Sequence, residues 1–107
     1  MKLVVEIYNT TKTFPDDEKF GIVNQMRRAA ISIPSNIAEG CGRFSDKETI
    51  HFLDMANGSL AELETQILIS KELGYLNEEN IICRINSISK MLIGLKKHLK
   101  GKVLIND

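Results

Sequence analysis

Glu48-Thr49-Ile50-His51 is the pattern with the most definite chemical meaning in this chain. A Glu and a His three residues apart on a helix point the same way. Carboxylate-bridged di-metal bundles use two such pairs plus two further inward glutamates. Here the pair occurs once, and the other histidine, His98, has Leu95 three residues before it. Glu48 also has a competing role at a helix start. Cys41, Cys83, His51 and His98 stand at spacings that make no zinc site. No metal and no cofactor are expected.

Nucleophilic chemistry is equally poorly served. The serines fall at helix caps and mid-helix positions, and no nucleophile–base pair is evident, so an enzyme is not expected. Gly40-Cys41-Gly42 could suggest a phosphate loop. It is neither GxGxxG nor GxxxxGK[ST], and no strand precedes it, so it reads as a turn. Arg43 and Lys47 flank the start of the next helix, where free amides and the dipole attract anions. Lys96, Lys97, Lys100 and Lys102 form a second basic group, with no aromatic residue interleaved for base stacking. Together with Arg27 and Arg28, these are the expected contacts to RNA or DNA.

Composition tempers that expectation. Fourteen Lys and Arg balance fourteen Asp and Glu over 107 residues. Zero net charge argues against a generic polyanion binder, whose affinity comes mostly from neutralised phosphates. The charges are unevenly placed. Six basic residues and no acid lie between Arg84 and Lys102, whereas six acids and one lysine lie between Asp54 and Glu79. That layout permits charge-paired self-association as well as a local anion site. The two cysteines form no CxxC pair and read as reduced thiols of a cytosolic protein. Met1 to Asn9 does not read as a signal peptide, and no apolar run is long enough for a membrane span.

The elements that must position these residues are helices, and the length suits one domain over residues 1–107. Leu3, Val4, Ile7, Thr11 and Phe14 recur at helical spacing, predicting a first helix over Lys2 to Thr13. Pro15 followed by Asp16, Asp17 and Glu18 reads as the start of a second helix. Val23, Met26, Ala30, Ile33 and Ile37 form its seam. Pro34 either kinks this helix or restarts it. The seam stays in phase to Ile37, which favours a kink, with Ser32 and Ser35 placed to satisfy freed backbone groups. Gly40 and Gly42 then end the helix as C-cap glycines.

Ser45-Asp46-Lys47-Glu48 is a capping box for a third helix, with Leu53, Ala56, Leu60, Leu63 and Ile67 as its seam and Gly74 as its stop. Asn77 caps a fourth helix, with Glu78 and Glu79 in its first turn. Ile81, Ile85, Ile88, Leu92, Leu95 and Leu99 make its seam. The expected fold is all-α, an antiparallel up-down four-helix bundle.

The face of the second helix opposite its seam carries Asn24, Arg28, Ser32, Ser35 and Glu39. Serine is an odd filler for a free surface. On the third helix Asp54, Gly58, Ala61 and Thr65 also face away from the core, and Gly58 weakens its helix without a local reason. Small outward residues allow another helix to approach. These faces are the expected contacts between subunits, with Arg28 partly buried and paired to Glu39 or Glu62.

One further signal is a resemblance. Phe14-Pro15, Gln25-Met26-Arg27-Arg28-Ala29-Ala30, Ser32-Ile33-Pro34-Ser35-Asn36-Ile37-Ala38-Glu39-Gly40, Gly42-Arg43 and Ser59-Leu60-Ala61-Glu62-Leu63-Glu64-Thr65-Gln66 carry it. From Ile7 to about Tyr75 the chain resembles a bacterial family of four-helix bundle proteins first noticed as products of intervening sequences in 23S ribosomal RNA genes. The accessory variability protein of diversity-generating retroelements is a related group. The resemblance implies an up-down bundle assembled as a ring-like homopentamer. It also implies a nucleic-acid-associated role without established enzymatic activity. Two features depart from the pattern. The first helix begins only a few residues before Ile7-Tyr8, so its usual N-terminal extension reads as missing or shortened. The balanced charge also departs from the basic character of the retroelement relatives.

The expectation is a cytoplasmic, non-enzymatic homo-oligomer, a pentamer by resemblance. It binds RNA or DNA, or assists a nucleic-acid-handling protein, and has no membrane partner. The alternative is a structural or protein-adaptor oligomer with no nucleic-acid affinity.

Overall fold

A computed structural model describes residues 1–77 and 80–106. The described residues are all-α. They form α1 (Lys2–Thr11), a 3-10 turn (Asp16–Glu18), α2 (Ile22–Cys41), α3 (Asp46–Glu72) and α4 (Asn80–Asn106). Of the start of α4 expected at Asn77, Glu78 and Glu79, the two glutamates lie outside the described residues, and Asn77 is exposed.

The predicted seams meet in one core. Leu3 and Ile7 of α1, Met26, Ala30 and Ile33 of α2, Leu53, Ala56 and Leu63 of α3 and Ile81 of α4 are all fully buried. Leu95 departs from its seam and remains 40% exposed. Two buried hydroxyls are satisfied on their own helices. Thr11 Oγ1 donates to the Ile7 carbonyl at 2.7 Å and Ser70 Oγ to the Gln66 carbonyl at 2.8 Å. Such back-bonding lets a polar residue sit in an apolar seam.

Two helix boundaries differ from the sequence expectation. Pro15 and its acids begin the 3-10 turn, and α2 starts only at Ile22, four residues after Glu18. Gly21 has φ −103° and ψ −118°, outside the helical region, and separates turn from helix. Pro34 lies inside α2, which continues to Cys41 without restarting. Asn36 Nδ2 donates to the Ser32 carbonyl at 2.8 Å, two residues on from the Ala30 carbonyl that Pro34 leaves without its amide donor.

The second difference is Gly40. It lies within α2, one residue before the last, and is buried. A Cβ there would sit 3.0 Å from Phe52 Cβ and 3.3 Å from the Thr49 carbonyl oxygen of α3. Gly40 thus permits close approach of two helices. The Thr49 hydroxyl crosses the contact and donates to the Gly40 carbonyl at 2.9 Å. Gly42 is the C-cap, with an ordinary φ of −85°.

α3 begins and ends as its sequence predicts. Ser45 Oγ accepts from the Glu48 amide at 3.4 Å. Gly74, at φ +79°, adopts the left-handed conformation. The Tyr75 amide donates to the Ser70 carbonyl at 2.9 Å and the Gly74 amide to that of Lys71 at 3.0 Å. This pair is a Schellman stop.

Candidate nucleic-acid and subunit interfaces

Most of the expected phosphate-binding cations are engaged within the chain. Arg27 of α2 lies against α1. Its Nε donates to Thr11 Oγ1 at 3.0 Å and its Nη2 to the Tyr8 carbonyl at 3.3 Å. The guanidinium also sits 4.6 Å from the Tyr8 ring centroid. Arg43 pairs with Glu39 and lies 4.8 Å from the Phe52 centroid. On α4, Lys96 pairs with Asp54 and Lys102 with Asp46 at 3.6 Å, both across to α3. Arg84 pairs with Glu6 of α1. Lys47, Lys97 and Lys100 are exposed. The more exposed of these pairs, Arg43–Glu39 and Lys102–Asp46, contribute about 0–1 kcal/mol each, so they orient side chains more than they hold the fold.

The expected interface residues divide. Arg28, Ser32 and Glu62 come together with Gln25 and Ser59 around a cleft of about 320 Å³ between α2 and α3. Of the two acids proposed for Arg28, Glu39 is taken by Arg43, while Glu62 shares the cleft and accepts from Gln66 Nε2 at 3.2 Å. Gln66 is only 6% exposed, and its Oε1 is buried without a hydrogen-bond partner among the described residues. Asn24, Ser35, Gly58, Ala61 and Thr65 are exposed. Asp54 faces α4 through Lys96 and is not brought to that cleft. A Cβ added at Gly58 would meet nothing within 4 Å.

Sequence reasoning missed the partners that hold these cations. Tyr8 and Thr11 stand at helical spacing on α1, which was a signal that both face one neighbour. Nothing in the sequence placed Phe52 beneath Arg43. A further pair joins Tyr75 Oη to Glu18 at 2.9 Å, with the Tyr75 ring 5.3 Å from Phe14. The hydrogen bond to Glu18, partial desolvation and the nearby carboxylates of Glu18 and Asp17 raise the Tyr75 hydroxyl above its ordinary value of 10.0.

Among the described residues, no group of three or more His, Cys, Asp or Glu is placed to hold a metal. His51 instead meets Phe52 edge-on, with centroids 5.5 Å apart. No helix among them is long and apolar enough to cross a membrane.

The arrangement of four helices, with the SIPSNIAEG run in α2 and the GSLAELETQ run in α3, has a counterpart among known families. The family model described as 23S rRNA-intervening sequence protein matches residues 1–94. The chain belongs to this family. No curated protein matches it. The family match spans α1, α2, α3 and the first half of α4. It therefore includes Arg27, Arg28, Arg43 and Lys47, and stops short of Lys96, Lys97, Lys100 and Lys102.

Proposed function

We propose that this member of the 23S rRNA-intervening sequence protein family is a non-enzymatic, cytoplasmic homo-oligomer that serves as a protein scaffold or adaptor. Its subunit is an antiparallel up-down bundle, and the assembly is a ring-like homopentamer. Contacts between the helices support the antiparallel reading. Thr49 meets Gly40 near one end of the α2–α3 pair and Ser70 meets Met26 near the other. Lys102, Lys96 and Ser89 of α4 meet Asp46, Asp54 and Asn57 of α3 in reverse order. Free, exposed Cys41 and Cys83 suit a reducing compartment.

The observation that carries the scaffold reading is Gly58. It weakens α3 by about 1 kcal/mol relative to alanine, yet a Cβ there would meet nothing within 4 Å among the described residues. Exposed Ala61 and Thr65 continue the small-residue face, and the cleft holding Arg28 and Glu62 adjoins it. A second helix packed there gives the glycine its reason. Size-exclusion chromatography with light scattering at high micromolar concentration tests this. The expected mass is five times the 12.0 kDa subunit; a strictly monomeric species sinks the reading.

Binding of RNA or DNA is the second reading. Arg28, Lys97 and Lys100 favour it, because they have no ion-pair partner among the described residues. Fluorescence anisotropy with structured RNA across a salt series separates the two readings. Phosphate contacts make affinity fall steeply as salt rises. An intact oligomer with no binding at low salt leaves the adaptor alone.

A further inference from the structure

A separate cleft, of about 310 Å³, lies where α1 ends and the chain turns into α2. Thr11 is the last residue of α1, Phe14, Pro15 and Asp16 belong to the connection, and Val23 and Arg27 lie on α2. The volume is at the lower end of the roughly 300–1,000 Å³ that small-molecule sites occupy.

Lys12 and Lys19 also line this cleft, so three cations meet there against one carboxylate, Asp16. Neither lysine has an ion-pair partner among the described residues. Lys19 Nζ lies 5.6 Å from the centroid of the Phe20 ring, which is itself exposed. Lysines near a helix C-terminus commonly cap its last carbonyls. Here that duty is filled without either lysine side chain. The Tyr8 carbonyl accepts from Arg27 Nη2 and that of Thr10 from Thr13 Oγ1. The Asn9 carbonyl accepts from the Lys12 backbone amide and that of Thr11 from the Phe14 amide. The negative end of the α1 dipole amounts to about half a charge. Even with Asp16 added to it, the cleft keeps an excess of positive charge.

The three cations differ in freedom. Hydrogen bonds to Thr11 and Tyr8 hold Arg27 in place, so it supplies a fixed charge on the inner wall. Lys12 and Lys19 are exposed, and their long side chains can close on a ligand from outside. Pro15 adds an exposed apolar surface beside them.

We infer that this cleft binds a phosphate monoester. Lys12 and Lys19 hold its phosphate in the field of Arg27, and its organic part lies on Pro15. A monoester carries about 1.5–2 negative charges at pH 7, which suits a cleft with this excess of cations better than the single charge of a phosphate inside a nucleic-acid strand. The site lies apart from the α2–α3 cleft and from the lysines of α4, so it goes beyond both readings of the function and stands whichever of them holds.

Isothermal titration calorimetry of the full chain with adenosine monophosphate, inorganic phosphate and adenosine tests it. Adenosine monophosphate saturates the site, inorganic phosphate binds more weakly and adenosine does not bind. Lys12→Ala and Lys19→Ala, both at exposed positions, each weaken nucleotide binding about five- to tenfold. Asp16→Asn removes the opposing carboxylate and tightens it. Lys90→Ala, an equal change of charge on α4 outside the cleft, leaves it unchanged. Adenosine binding as tightly as its monophosphate overturns the inference, as do equal losses in all three lysine variants. Absence of saturable binding to the nucleotide and to a terminally phosphorylated RNA alike also overturns it. The same RNA with and without its terminal phosphate identifies the source of the monoester. A stronger response to the phosphorylated strand than to the nucleotide makes it an RNA end; equal binding of the two strands makes it a free nucleotide.

Discussion

The α2–α3 side of this bundle and the α1 side are built to different standards of fit. Between α2 and α3 a glycine is required at the point of nearest approach, and a hydroxyl from one helix satisfies a carbonyl of the other. On the α1 side a ten-residue helix is held partly by one arginine, and an open groove lined by Met1, Ile37, Met91 and Leu95 adjoins it. The first region tolerates nothing extra. The second has room. The closest fit and the most open surface therefore lie on different sides of one small domain.

Filling the tight side is the most damaging test of that contrast. Gly40→Val places a branched side chain where even a Cβ is 3.0 Å from Phe52 Cβ. Over-packing of this sort costs about 2–3 kcal/mol, read as a fall in the urea midpoint at unchanged slope. Gly40→Ala loses less, because about 1 kcal/mol of helix propensity opposes the contact. Gly94→Ala, on the open side, should lose nothing. If Gly40→Val is as stable as the native chain, the two sides do not differ in fit.

Arg27 measures the other region. Arg27→Ala removes two hydrogen bonds to α1 and the stacking on Tyr8. Thr11 keeps its own bond to the Ile7 carbonyl, so no buried donor is stranded. A loss of about 2 kcal/mol is expected. Amide exchange should accelerate in α1 and stay unchanged in the middle of α3. Equal acceleration in both would mean that α1 opens only with the whole bundle.

How much of this could be read in the residues depended on how local the cause was. The seam of α3, its Ser45 cap and its Gly74 stop were all legible, because each depends on residues within one or two turns. Pro15 with three acids looked like a helix start and proved to open a 3-10 turn, since Gly21 interrupts the backbone a few residues on. Gly40 looked like a helix stop because glycine commonly is one; its real constraint is Phe52, twelve residues away and on another helix. Arg27 read as a phosphate contact for the same reason. An arginine's partners at Tyr8 and Thr11 become visible only when the helices are packed. The groove that Met1, Ile37 and Met91 line needed the placement of α1, α2 and α4 together, which no single segment carries.

Gly58 offers a gentler comparison, now between a chain alone and an assembled one. Gly58→Ala adds a methyl group in open space. In a dilute monomer it should raise stability by about 0.5–1 kcal/mol through helix propensity alone. If this face packs against a second subunit as proposed, the same methyl would stand between helices and should weaken association, seen by light scattering as dissociation at higher protein concentration than the native chain. A gain in stability with no change in association would mark this face as plain surface.

The smallest effect sits where the two regions join, at Tyr75 after α3 and Glu18 before α2. Tyr75 has its folded value raised above 10.0, first by its hydrogen bond to Glu18. The unfolded tyrosine loses its proton first as pH rises. The native state then binds more protons than the unfolded one, so stability falls with pH above the unfolded value. Below it the shift contributes no slope, and nothing changes at neutral pH from this source. Glu18→Gln removes the carboxylate while keeping a hydrogen-bond acceptor, so Tyr75 should titrate lower and the alkaline loss of stability should flatten. Absorbance titration near the tyrosinate band reads the shift, with Tyr8 as the second and only other tyrosine signal. If Glu18→Gln leaves both curves where they were, Glu18 does not hold the joint, and the contact between the turn and the end of α3 rests on Phe14 against the Tyr75 ring alone.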